Sequence, residues 1–155
     1  MRKFGKALLV CVMVCLLAAG AVASAEVDDG TVTIKLANKT NKTIAVALVR
    51  ISTGGDDSGD LAQGWFNVKP GKTRTVKFGS YSPVNEYFFY AVSGKQVWGG
   101  SKDNGSAFWI HPKNAFKSRN PEKKISGGKK VVFKHLSVSS DGKQGSTSSN
   151  RLNAD

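Results

Sequence analysis

The chain has 155 residues, the size of one domain, and its 23 Lys and Arg against 11 Asp and Glu give a net charge of +12. Such a balance attracts polyanions, although solubility alone also accounts for it. Cys11 and Cys15 are the only cysteines, so thiol catalysis, cysteine-bound metal and disulfide stapling are excluded for everything after them.

The N-terminus carries Arg2, Lys3 and Lys6, then an apolar run from Ala7 to about Ala19. Ala23-Ser24-Ala25 supplies small residues two apart, immediately before Glu26-Val27-Asp28-Asp29. Together these predict a signal peptide over 1–25, cut after Ala25, and an exported protein that begins at Glu26. The alternative is an uncleaved anchor, because the apolar run approaches the length of a short spanning helix. A lipid anchor is disfavoured, since valine precedes both Cys11 and Cys15. Without Arg2, Lys3 and Lys6, 20 basic residues face 11 acidic ones, a balance of +9.

Strand patterns then dominate. Residues 31–37 alternate, with Val32, Ile34 and Leu36 inward and Thr31, Thr33 and Lys35 outward. Residues 43–51 are apolar on both faces and predict a more central strand, with the polar stretch 38–43 as a hairpin loop between the two. Three Asn-x-Ser/Thr patterns, at Asn38, Asn41 and Asn104, matter only in a host that glycosylates its exports. An acidic loop at 52–60 leads into a strand ending near Val68. Pro70-Gly71 then suits a type II turn. Val76 and Phe78 share one face of the next strand. The run from Tyr87 to Val92 is aromatic on both faces, with one face expected to be core and the other covered by loops. Ser93-Gly94-Lys95 turns it back into a short strand at 96–100. Another strand covers 106–111 and ends at Pro112, which cannot donate to a ladder.

From Lys113 to Lys130 the chain is rich in turns and holds Lys113, Lys117, Arg119, Lys123, Lys124, Lys129 and Lys130 against Glu122 alone. A last strand spans 130–136, and a Ser/Gly/Asn-rich tail over 137–155 is expected to be disordered. The sum is an all-β chain, an antiparallel β-sandwich or small barrel of about seven to eight short strands over 26–136.

Several short blocks carry a family likeness: Gly64-Trp65-Phe66, Pro70-Gly71, the strand from Tyr87 to Ala91, and Trp98-Gly99-Gly100. In this order they resemble the bacterial family known as domain of unknown function 1036, over about residues 32–116. The resemblance implies a small exported β domain and no reaction. Family members often carry cysteines where this chain has Ala37, Thr73 and Trp109. If those are disulfides, the resemblance implies that packing replaces them here.

Trp65, Tyr87, Phe89, Tyr90 and Trp98 are expected to be framework aromatics. Trp65 with Phe66 and Phe108 with Trp109 are adjacent pairs, so one member of each must leave a single core unless a loop covers it. The candidate ligand site combines Trp109 and Phe116 with Lys113, Lys117, Lys123, Lys124, Lys129 and Lys130, which suits an anionic polymer bound by charge and stacking. Asp56, Asp57 and Asp60 lack the ligand number and spacing of a calcium loop. His111 and His135 make no metal pattern, and no nucleophile elbow, phosphate loop or dinucleotide fingerprint occurs. The sequence therefore predicts a non-enzymatic binding module of the bacterial envelope, with no cofactor or metal. Its partner would be an anionic or glycan-like envelope polymer, with no specific nucleic acid and no membrane span after leader cleavage. The alternative is a protein-interaction or structural module that uses aromatic sheet faces against another envelope protein.

Overall fold

The computed structural model describes residues 20–28, 30–54, 59–139 and 150–151. The strands are β1 (Ala21–Asp28), β2 (Thr31–Asn38), β3 (Ile44–Ser52), β4 (Leu61–Val68), β5 (Thr73–Ser80) and β6 (Asn85–Ser93). They continue as β7 (Gln96–Trp98), β8 (Gly105–Ile110), β9 (Phe116–Ser118), β10 (Lys129–Leu136), β11 (Val138–Ser139) and β12 (Asn150–Arg151). The fold is all-β, as the alternating patterns predict.

Two sheets form. One has the order β11-β1-β2-β5, with β12 also on β1; the other runs β8-β10-β6-β3-β4-β9, with β7 also on β6. Pairing is antiparallel except between β1 and β11. β2 buries Val32, Ile34 and Leu36 completely, and β5 adds Val76 and Phe78. These residues meet Ile44, Val46, Leu48, Phe66, Val68, Tyr87, Phe89, Ala91, Trp98 and Leu136 from one face of the larger sheet. That sheet curls into a half-barrel, and its other face encloses a second core of Ala47, Val49, Ala62, Phe88, Tyr90, Phe108, Ile110, Val131 and Phe133. β3 and β6 are apolar on both faces because they lie between the two cores. The far face of the Tyr87–Val92 run is thus covered mainly by the curled sheet itself.

The stretch 38–43 corrects an expectation. It is no hairpin loop, because β2 pairs with β1 and β5 while β3 pairs with β4 and β6. It carries the chain from one sheet to the other, which explains why β2 buries mainly one face and β3 buries two. The Pro70-Gly71 turn makes the return crossing from β4 to β5, closed by Lys72 N–H donating to the Lys69 carbonyl at 3.1 Å.

The fold also takes in residues on both sides of the expected 26–136 domain. Positions 21–25 are the first part of β1, and Val138 and Ser139 pair with Ala25 and Glu26. The rest of the tail, 140–149 and 152–155, lies outside the described residues, as do Asp56 and Asp57 of the acidic loop. Asp60 is a structural acceptor, its Oδ1 taking the Ser52 N–H at 2.7 Å.

A bulge re-aims the aromatics of β4. The register with β3 slips between Val46 and Leu48, so Ala47 faces an extra residue on the partner strand. Phe66 then stays in the first core while Trp65 turns into the second.

Candidate functional site

The basic segment becomes a strap across the half-barrel. It leaves the end of β8, runs along β4 as β9, and returns to enter β10. Three contacts hold it. The Trp65 indole Nε1–H donates to the His111 carbonyl at 2.9 Å, and Phe116 pairs with Gly64 in the β4–β9 ladder. The Trp109 N–H donates to the Pro121 carbonyl at 2.9 Å. Gly64 is needed for this approach, since a Cβ there would lie 2.7 Å from the Phe116 ring.

The expected ligand residues separate into two groups. Phe116 is no open platform; its ring packs edge-on against Trp65 at 5.8 Å between centroids and belongs to the second core. Apolar surface next to Trp65 explains its place in the strap. Trp109 points the other way. Its neighbours Phe108 and Ile110 are buried in the half-barrel, so the indole lies on the outer face of β8, half-buried and directly cross-strand from Lys130. Lys124 reaches over this ring, with Nζ 5.9 Å from its centroid. Lys123 precedes it in the same turn, and Lys129 pairs with Ile110 one step along the ladder. Lys113 follows β8 in a turn in which the His111 Nδ1 accepts the Lys113 and Asn114 N–H groups. Lys117 lies on β9, opposite Gln63.

All six lysines are exposed. Among the described residues none of these six lysines is ion-paired; Lys35 and Glu26 form an ion pair on the smaller sheet. Lys124 and Lys130 thus bring two positive charges to the indole, neither of them ion-paired among the described residues. The Lys124–Trp109 contact is a cation–π pair at an open site, worth about 0.5–1 kcal/mol. A ligand that offers Lys124 an anion and the ring an apolar face can displace it at small cost.

The remaining aromatics pack into the two cores. Tyr87, Phe89, Tyr90 and Trp98 are buried, and Trp65 is half-buried against Tyr90 and Phe116. Sequence reasoning missed the Trp109–Lys124 contact, because nothing in the spacing of the two residues shows that the strap folds back. It also missed Arg74, which stacks its guanidinium 5.2 Å from the Phe66 ring centroid.

Two open clefts lie elsewhere. One of about 240 Å³ is lined by Tyr81, Asn85, Tyr87, His135 and Ser137 among others. The second, of about 350 Å³, lies between Ile51, Glu86, Phe88, Ser106, Phe108 and Glu122. Among the described residues no three His, Cys, Asp or Glu side chains gather in a way that could hold a metal ion, and no helix is long and apolar enough to cross a membrane.

No family model, curated protein or solved structure matches this chain.

Proposed function

We propose that the protein is an exported, non-catalytic binding module for an anionic polymer of the bacterial cell envelope, acting in the periplasm, at the cell surface or outside the cell. The observation that carries this reading is the Trp109 ring, flanked by Lys130 across the ladder and capped by Lys124. A charged glycan chain uses both properties at once. Its phosphate, sulfate or carboxylate groups draw the lysines, and a sugar face takes the indole once Lys124 swings to the anion. Aromatic rings offer such area at little entropic cost. Lysine suits a flexible polymer as a mobile point charge, where arginine would impose a fixed fork.

Heparin serves as the test polymer. Replacing Lys123, Lys124, Lys129 and Lys130 by Gln should leave the fold intact, since exposed charge changes cost less than about 0.5 kcal/mol each. The variant should elute from a heparin column at clearly lower salt and with a shallower salt dependence, because each lost anion contact removes roughly one released counterion. Trp109→Ala should weaken binding while leaving that salt slope unchanged. Elution of the quadruple variant at the parent's salt concentration would overturn the reading and favour a protein partner held by apolar contacts.

A further inference from the structure

We infer that the leader ends at Gly20 and that the exported chain begins at Ala21, five residues before the site that the pattern at 23–25 suggests. This rests on the export reading above and concerns only where the leader is cut.

β1 alternates with period two. Ala21 and Ala23 are each 2 % exposed in the first core, and Ala25 and Val27 pack against the same core. A strand places residues two apart on one face. The small-x-small pattern at 23–25 is therefore the inward row of a strand, where small side chains fit against the facing sheet. It has a structural cause and does not need a peptidase to explain it.

The pairing runs the full length of the strand. Eight residue pairs join β1 to β2, from Ala21 opposite Asn38 to Asp28 opposite Thr31. The Gly20 carbonyl, just outside the strand, still accepts the Lys39 N–H at 2.8 Å. A cut after Ala25 would strip the partners of β2 from Ile34 to Asn38 and uncover the edge of the first core beside Ile34 and Leu36. It would also remove Ala25, the partner of Val138. A cut after Gly20 leaves all eight β1–β2 pairs and the Ala25–Val138 pair in place and gives up only the hydrogen bond from the Lys39 N–H to the Gly20 carbonyl.

Ala18-Ala19-Gly20 meets the same requirement as the downstream pattern, with small residues at the last and third-last positions of the leader. It also follows the apolar run directly. The step is a hydrolysis in which water adds across the Gly20–Ala21 amide, leaving a carboxylate on the leader and an amine on Ala21.

The test is intact-mass analysis of the full chain after expression in a secreting bacterial host. An N-terminus at Ala21 is expected. Any other processed N-terminus, Glu26 in particular, overturns the inference and leaves the export reading standing. A chain that keeps Met1 overturns the export reading itself. Ala25→Gln places a long side chain at the last leader position of the downstream site, and release of an Ala21 N-terminus should continue unchanged. Loss of processing in that variant overturns the inference.

Discussion

Asn38 sits at the end of β2, 1 % exposed, with its side-chain hydrogen-bonding capacity in use. Its Nδ2 donates to the carbonyls of Lys42 at 2.7 Å and Val68 at 2.8 Å. Its Oδ1 accepts the Thr40 N–H at 2.9 Å and the Thr40 hydroxyl at 2.7 Å. One amide thus ties both sheet crossings together, and its burial removes Asn38 as a glycan acceptor. Asn38→Leu keeps the approximate volume but takes the Nδ2 donor from the Val68 carbonyl and the Oδ1 acceptor from the Thr40 N–H, while the Lys42 carbonyl still accepts the Thr40 hydroxyl at 2.8 Å. A loss of about 2–3 kcal/mol is expected, read as a lower urea midpoint; an unchanged midpoint would show that water replaces the amide freely. Two phenols act at the same scale. Burial pushes the Tyr87 hydroxyl above its ordinary 10.0, with Asn85 and Arg50 pulling the other way, and burial alone raises Tyr90. The folded state therefore holds these protons more tightly than the unfolded chain. That contribution is complete below about pH 10 and is lost as pH rises through the raised folded values. Stability should fall from pH 9 to pH 11, and less steeply in Tyr90→Phe. Equal slopes in the two proteins would rule out Tyr90 as a source of the effect.

At the scale of elements, the bulge in β4 sets how one adjacent aromatic pair, Trp65 and Phe66, is used. The sequence reading took one core, so one member of each pair was expected to point outward unless a loop covered it, and Trp109 is that member of its pair. The curled sheet supplies two cores, and Trp65 and Phe66 are used on opposite sides. Trp65→Ala should cost on the order of 3 kcal/mol, through the cavity and the lost ring contacts with Tyr90 and Phe116. Trp65→Phe keeps most of the packing and loses only the bond to the His111 carbonyl, so about 1 kcal/mol is expected. Denaturant midpoints of the two variants check both values, and near-equal costs would mean that the hydrogen bond to the strap dominates. Alternation in β2 and β5, two-faced patterns in β3 and β6, and the turn between β6 and β7 were all legible, because they are local. Which strands pair was not. Residues 38–43 look like a hairpin loop from composition, and only the position of Asn38 between two sheets makes them a crossing. β1 was hidden because its inward alanines are the residues a leader cleavage site also prefers. β9 was hidden because Phe116 stands alone among lysines and owes its strand to Gly64 on β4. The candidate site was half legible: charge and Trp109 show in the sequence, whereas the return of Lys124 to the indole depends on Pro121 docking beside β8.

For the whole molecule, the decisive feature is that β3 and β6 belong to both cores. Leu48 and Phe89 face the smaller sheet, and Val49 and Phe88 face into the half-barrel. Neither core can dissolve without exposing one side of these strands, and a strand stripped on one face loses the packing that holds its ladder. The two layers should therefore unfold in one transition, despite being lined by separate sets of side chains. The tryptophans give a direct reading. Trp98 lies in the first core, where its indole N–H finds no hydrogen-bond partner among the described residues, and Trp65 borders the second. Two single-tryptophan proteins, one keeping Trp98 and the other Trp65, should each show one fluorescence transition that coincides with the loss of far-UV circular dichroism in the same protein. Phe133→Ala, deep in the half-barrel and fully buried, should then lower the midpoint read at Trp98 as much as the one read at Trp65, by about 3–5 kcal/mol of stability. If Phe133→Ala moved only the Trp65 signal, the half-barrel would be a separately unfolding layer, and β3 and β6 would be held in place by the smaller sheet alone.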